Sequence, residues 1–278
     1  MTKQLILVTG GTGKTGSRVA SRLRAQGTPV RVASRSGEQP FDWHDRTTWD
    51  TALEGVTAVY LVPLDGETLT RPFVERAAQL GVERLVMLSG RGLDNPEYSG
   101  DAALVNATHA DGEGALRDSG LTWTILRPTW FAQNFSEGLF LDAVLAGELR
   151  LPVGDAAASY VDADDIAAVA VAALTEDGHA KETYELSGPR AVTIAEAVAE
   201  ISKASGRAIR YVPLTPEEFV TELTGQGWPA ADANFYAEGL SPIRRGMDRH
   251  VSDGVPRALG RPARDFTDYV QAAVEAWR

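Results

Sequence analysis

Leu5-Ile6-Leu7-Val8-Thr9-Gly10-Gly11-Thr12-Gly13-Lys14-Thr15-Gly16, followed at once by Ser17-Arg18-Val19-Ala20, decides the fold. A short apolar run, a glycine turn and a helical pattern come in the order of a strand that hands over to a helix through a phosphate-binding turn. In that pattern Gly10 permits the tight turn, Gly13 lets the backbone approach a pyrophosphate, and Gly16 allows the helix to pack close to the strand. The free N–H groups of the helix start then bind the anion, with Thr12 and Thr15 beside them. Gly13-Lys14-Thr15 also imitates a nucleoside-triphosphate loop, but that motif requires a glycine where this chain has Val8. Lys14 is instead expected beside a dinucleotide phosphate.

The next strand, Val30-Arg31-Val32-Ala33, ends in Ser34-Arg35-Ser36. An NAD-specific protein places an Asp or Glu there to hold the ribose 2′-hydroxyl, and no acid is present. Arg35 with its flanking hydroxyls suits a 2′-phosphate, and a charge-assisted bond of roughly 1.5–3 kcal/mol means one to two decades of preference for NADP(H). A solvated loop arginine is the alternative. Asp42 and Trp43, after a short third strand, are candidates for the adenine pocket, and Val62, closing the run Ala58 to Val62, is a further candidate on the cofactor side.

Strand-like runs Leu5 to Thr9, Pro29 to Ser34, Ala58 to Val62, Arg84 to Ser89, Thr122 to Arg127 and Thr183 to Ser187 alternate with helical patterns at Ser17 to Ala25, Phe73 to Gln79 and Asp162 to Leu174. Such alternation predicts an α/β Rossmann fold, a doubly wound parallel sheet with helices on both faces. Past residue 190 the helical patterns Ile194 to Ser202, Pro216 to Leu223 and Phe266 to Trp277 dominate, with one strand-like run at Ile209 to Leu214. The expected division is a Rossmann domain over 1–190, with 131–150 contributing to the substrate side, and a smaller, mostly helical substrate lobe over 191–278.

The chain has 278 residues, 44% hydrophobic and 23% charged, enough to bury a sizeable core. It has no cysteine, which excludes disulfides, thiolate nucleophiles and zinc–sulfur sites, and its four scattered histidines argue against a metal site. A net charge of −11 argues against nucleic acid and makes any anion site a local exception to the global charge. No run is long enough for a membrane span and the N-terminus leads straight into a strand, so a cytoplasmic protein is expected, a monomer or homodimer acting on a small molecule.

Classical short-chain dehydrogenases pair a Tyr with a Lys four residues later, which lowers the phenol pKa. Here the positions four after Tyr60, Tyr98, Tyr160, Tyr184, Tyr211, Tyr236 and Tyr269 hold Leu64, Ala102, Asp164, Gly188, Thr215, Leu240 and Ala273. Direct hydride transfer to an iminium, enone or quinone needs no such dyad, only orientation and exclusion of water. A cationic iminium would suit an acidic protein.

The glycine turn, Ser34-Arg35-Ser36, His109-x-x-x-Glu113 and the run Trp123 to Phe135 together resemble the NmrA-like atypical short-chain dehydrogenases across nearly the whole chain. Phe41-Asp42-Trp43, Leu126 to Phe135, Val161-Asp162-Ala163-Asp164-Asp165-Ile166 and Leu259-Gly260-Arg261-Pro262-x-x-x-Phe266 are most similar to ergot-alkaloid reductases of the festuclavine synthase type and their bacterial relatives. The His109 helix also resembles that of NADPH-quinone oxidoreductases. The resemblance implies an NADPH-dependent reductase with its nicotinamide near Leu88, Ser89 and the turn from Pro128 to Phe131, and its substrate between that turn and the C-terminal lobe.

Trp130 and Phe131 sit at a strand's C-terminal end, where such sheets bind ligands, with Asn134 and Phe135 just beyond; core packing is the alternative for the aromatics. His109 is a catalytic candidate with a surface or capping role as its alternative, and Tyr98 and Tyr160 are loop candidates for proton donation. Asp162, Asp164 and Asp165 are read as helix capping rather than catalysis. The rival to an enzyme is a redox-sensing regulator that binds NADP(H) without turnover.

Overall fold

The computed structural model describes residues 4–99 and 103–278, and the side chains of all of these except 99 and 103–106. Strands β1 (Ile6–Val8), β2 (Val30–Ser34), β3 (Gln39–Pro40), β4 (Ala58–Leu61), β5 (Arg84–Leu88), β6 (Thr122–Pro128), β7 (Glu148–Leu151), β8 (Ala157–Ala158), β9 (Glu182–Leu186), β10 (Val192–Thr193) and β11 (Arg210–Pro213) follow in chain order. Seven of them form one sheet in the order β3-β2-β1-β4-β5-β6-β9, parallel throughout. This is the doubly wound fold, with β1 and β4 meeting where the strand order reverses. Both strands are buried along their whole length because helices cover both faces, so they read as unbroken apolar runs.

Helix α1 (Lys14–Ala25) lies on one face; α2 (Thr47–Leu53) and α3 (Thr70–Gln79) lie on the other. The short α4 (Pro96–Ser99) precedes α5 (Ala103–Asp118), which joins the α3 face through Ala115 and Leu116. After α6 (Leu141–Leu145), α7 (Ala163–Thr175) returns to the α1 face, where Ile166 and Val169 pack with Val19 and Leu23. Asp162 caps α7 as its spacing predicts, accepting from the Asp164 amide at 2.8 Å, while buried Asp165 accepts from Arg261 at 2.7 Å.

A second core draws on two separated stretches of chain. Phe135, Phe140, Leu149, Leu151 and Tyr160 pack with α8 (Ile194–Ser205), α9 (Pro216–Gly225), α10 (Ala230–Gly239), α11 (Ser241–Arg244) and α13 (Phe266–Ala273). A small parallel pair, β7 with β11, ties the stretches together. Between α11 and α13 the chain crosses back to the main sheet, where α12 (Gly254–Leu259) inserts Val255 into the α1/α7 core. Among the described residues no helix is long and apolar enough to cross a membrane.

One polar cluster sits inside this frame. The Glu113 carboxylate on α5 accepts from Arg127 Nε at 2.8 Å and Nη2 at 2.7 Å, from Ser89 Oγ at 2.7 Å and from Arg117 Nη2 at 2.8 Å. Burial pushes its pKa up, but the bonds from Arg127 and Ser89 outweigh that and hold the carboxyl below its ordinary value. Removing one partner of such a pair leaves a buried charge uncompensated. Arg127→Met is therefore expected to cost about 3 kcal/mol, read from the urea midpoint; a loss under about 1 kcal/mol would mean that Arg117 and Ser89 suffice.

Candidate functional site

The glycine turn follows β1 at the C-terminal edge of the sheet. Gly10 has φ +59°, a conformation that a side chain disfavours, and a Cβ at Gly16 would stand 2.3 Å from the Gly10 carbonyl oxygen. Gly13, immediately before α1, offers no capping side chain, and the first turn of α1 holds no acid. The N–H groups of that helix start are thus left for an external acceptor. A Cβ at Gly13 would meet only the Gly10 oxygen, at 3.2 Å.

Two cavities flank the turn. The first, about 450 Å³, is lined by Gly10, Thr12, Gly13, Ser34, Arg35, Ser36, Asp42, Trp43 and Val62 together with Phe41, His44, Pro63 and Leu64. Arg35 is exposed and has no ion-pair partner among the described residues, while the buried Ser34 Oγ lacks a hydrogen-bond partner. Trp43 stands in an edge-to-face cluster with Phe41, Trp49 and Phe73 that makes one wall rigid. Asp42 is held in a local turn, its carboxylate accepting from the His44 amide at 2.9 Å. An open helix start, a free guanidinium and an aromatic wall fit a dinucleotide.

The second cavity, about 360 Å³, is lined by Lys14, Gly90, Arg91, Tyr98, His109, Pro128, Thr129, Trp130, Phe131, Asn134, Gly239 and Pro242. Lys14 therefore faces this cavity and not the first, and burial lowers its pKa, with Arg18 adding to that and Glu137 opposing it. Burial also lowers the His109 pKa against the opposing pull of Asp65 and Glu113; its Nε2 is 3.7 Å from Asp65 Oδ1 and its Nδ1 has no partner. The Tyr98 hydroxyl donates to Asp248 Oδ1 at 2.6 Å, and Trp130 Nε1 donates to Asp248 Oδ2 at 3.1 Å. Burial raises the Asp248 pKa despite these donors, and burial beside Asp248 raises that of Tyr98.

Several expected residues lie outside both linings. Thr15 and Gly16 stand behind the turn, Leu88 packs against the α1/α7 core, and the Ser89 hydroxyl is committed to Glu113. Phe135 and Tyr160 are interior to the second core, their rings 5.4 Å apart edge to face. The sequence reading missed Arg91 and Asp248. Ser89-Gly90-Arg91 follows β5 at the ligand-binding edge, a signal that would have found Arg91; Asp248 lies 150 residues from Tyr98 and has no local signal.

A glycine turn at the switch point, a basic second-strand end and an adjoining cavity define an NAD(P)H-binding Rossmann protein. The family described as NAD(P)H-binding matches residues 10–177, and the chain belongs to it, within the NmrA-like atypical short-chain dehydrogenases. It is 36% identical to a (4-alkanoyl-5-oxo-2,5-dihydrofuran-3-yl)methyl phosphate reductase of Streptomyces griseus over 98% of this chain and 99% of that one. Festuclavine synthase I of Penicillium roqueforti is 29% identical over 98% and 99% of the two chains. Triphenylmethane reductase of Citrobacter sp., solved with NADP(H), shares the fold at a TM-score of 0.80 and 21% identity over 98% and 99%. The protein is an NAD(P)H-dependent oxidoreductase of this family.

Gly16→Ala forces the turn apart and is expected to cost about 1–3 kcal/mol, seen as a lower melting temperature together with weaker NADPH binding. His109 titrates with the opposite sign to a paired histidine. Since folding lowers its pKa from 6.5, the native state binds fewer protons than the unfolded chain below that pH, and stability falls as pH drops through this window. In His109→Gln the decline of stability between about pH 6.5 and 5 should become shallower; an unchanged slope would show that the imidazole is solvated.

Proposed function

We propose that the protein is an NADPH-dependent reductase of a small organic acceptor of the iminium, quinone or enone type, working by direct hydride transfer without a Tyr-x-x-x-Lys dyad. The second cavity carries this reading. A sensor needs no space beside the glycine turn, whereas a reductase needs one for its acceptor, and here about 360 Å³ lie between the turn, Trp130, Phe131 and Gly239 of α10. The region 191–278, with 131–150, then forms the substrate side over a cofactor domain spanning 1–190.

NADPH, when bound, supplies the hydride, and the acceptor also takes up one proton if it is a quinone or enone. The chain's own part is binding and orientation. The open start of α1 with Gly10, Thr12, Gly13, Thr15 and Gly16 receives the pyrophosphate, Ser34, Arg35 and Ser36 the 2′-phosphate, and Asp42, Trp43 and Val62 the adenosine. Leu88, Ser89 and Pro128 support the nicotinamide end, Ser89 through its bond to Glu113. Trp130, Phe131 and Asn134 hold the acceptor, with Phe135 supporting that wall from the core.

Of the three proton-donor candidates, His109 has the best claim. Its ring borders the cavity and its Nδ1 is unpartnered, whereas the Tyr98 proton is committed to Asp248 and Tyr160 lies outside the lining.

Turnover of NADPH with any of a panel of quinones, enones and cyclic iminium salts supports the reductase; tight NADPH binding with no turnover favours a regulatory sensor. Arg35→Ala is expected to weaken NADPH binding at least tenfold, about 1.4 kcal/mol, and to leave NADH binding nearly unchanged in parallel calorimetric titrations. Equal losses for both cofactors would remove Arg35 from the 2′-phosphate site.

A further inference from the structure

Most glycines of this chain are there because the backbone requires them. Among the described residues, fourteen have φ in the left-handed region. Of the rest, nine would set a Cβ closer than 3.4 Å to a neighbouring atom, as Gly16 would at 2.3 Å and Gly254 at 2.0 Å. Three need no glycine on either ground: Gly90, Gly225 and Gly239. Gly225 closes α9 on the exposed surface, whereas Gly90 and Gly239 both border the second cavity. Glycine costs a fold conformational entropy, and alanine is the more stable choice where the backbone admits it. Two unforced glycines on the lining of one cavity point to the space they leave.

Gly90 follows Ser89 beyond the end of β5 and shows most about that space. Gly92, two residues on, has φ +87°, and a Cβ there would stand 2.2 Å from the Tyr98 ring, so its glycine is structural. At Gly90, chain neighbours aside, the only described heavy atoms within 4 Å of a Cβ would be Cδ2 and Nε2 of His109, at 3.8 Å and 4.0 Å. His109 borders the cavity as well, and its Nδ1 is buried, so the Cδ2–Nε2 edge is the one turned to that space. The side chain that Gly90 lacks would therefore lie against the edge of the imidazole that an acceptor can reach. Gly239, the last residue of α10, leaves room on the lobe side, where a Cβ would have nothing within 4 Å.

We infer that Gly90 determines which acceptors fit, by keeping open the space beside the Cδ2–Nε2 edge of His109. The acceptor it admits is broad next to its reacting atom, a fused-ring body rather than a single small ring. The inference rests on the reductase reading and deepens it. Gly90 itself forms and breaks no bond; it sets how wide a body can approach the imidazole.

The test compares 2-methyl-1,4-naphthoquinone with 2-methyl-1,4-benzoquinone, which lacks the fused second ring. kcat/KM with NADPH is measured for each, and following the naphthoquinone-to-benzoquinone ratio from variant to variant cancels their difference in intrinsic reactivity. Gly90→Ala is expected to lower that ratio about threefold and Gly90→Val about tenfold or more, because side-chain atoms then overlap the space of the second ring. NADPH affinity, titrated by calorimetry, should stay within about twofold, and the melting temperature of Gly90→Ala should hold or rise slightly.

A ratio unchanged in both variants, each with native circular dichroism, overturns the inference. So does a loss of about tenfold in NADPH affinity in Gly90→Ala, which would give the space to the nicotinamide, or a melting temperature lower by about 4 °C or more, which would make the glycine structural. The two readings fail separately. If no acceptor of the panel is reduced, binding of the same two quinones to the NADP⁺-loaded protein still reads the width: a naphthoquinone preference that Gly90→Val removes keeps the role of Gly90 and sinks the reductase, whereas turnover of both quinones at an unchanged ratio does the opposite.

Discussion

The buried pair between Glu113 and Arg127 fixes the geometry on which the site depends. Glu113 belongs to α5, Arg127 to β6, and Ser89, which also donates to Glu113, follows β5, so one carboxylate joins a helix to two adjacent strand ends. Taking that carboxylate out of water costs several kcal/mol, and four charge-assisted or hydroxyl donors are what make it tolerable. A group so surrounded has few alternative positions. His109 lies one turn earlier on the same face of α5, and locking Glu113 therefore sets the imidazole against Gly90, 3.8 Å from where a Cβ would be. On the other side, Pro128 to Phe131 continue directly from the locked arginine. The floor and one wall of the second cavity are thus consequences of a single ionic cluster.

The glycine turn imposes a second constraint of a different kind, the absence of atoms. At Gly16 the carbonyl of Gly10 occupies the space a methyl would need, which brings the α1 axis close to β1 and aims its first N–H groups along the sheet edge. An acidic protein can hold a polyanionic cofactor this way because backbone dipoles and a few placed cations act over less than a Debye length, whereas the carboxylates beyond that distance are screened. Arg35 and Lys14 take opposite sides of the turn, one in each cavity. The positive charge that the sequence concentrates near residue 14 therefore reaches the second cavity, while that of Arg35 stays in the first.

What was legible in the sequence divides along physical lines. The strands β1 and β4 were readable as unbroken apolar runs because helices cover both their faces, and β2, β5, β6 and β9 as β-rich apolar runs interrupted by Arg31, Arg84, Arg127 and Glu185; β3, two residues of edge strand with Pro40, was readable only as a short third strand without bounds. The lobe was only half readable. Its core is shared between residues from 132 to 160 and from 192 to 277, and the strand that ties them, Glu148-Leu149-Arg150-Leu151, buries alternate residues in a run too short to stand out. Nor does any local pattern announce that α12 leaves the lobe, where Gly254 lies so close to β9 that a Cβ would meet the Glu185 carbonyl at 2.0 Å. Phe131 and Phe135 look alike in sequence, and only the packed chain separates the one at the cavity from the one in the core.

Asp248 shows how that unreadable part governs chemistry at the readable part. It comes from the lobe yet collects the hydroxyl of Tyr98 and the indole N–H of Trp130, both at the edge of the sheet. Arg91 and Arg245 reinforce the seam, donating to the carbonyls of His250 and Tyr98. Lobe and sheet are therefore pinned across the cavity mouth by polar groups that would otherwise be free to serve catalysis. A phenol that gives its proton to a buried carboxylate, with burial raising its pKa further, is a poor acid, so the tyrosine chemistry of classical short-chain dehydrogenases is closed to Tyr98 for an electrostatic reason as well as for want of a lysine. The proposed reductase would therefore rely on acceptors that take hydride without strong acid assistance, oriented by the aromatic side chains of the second cavity.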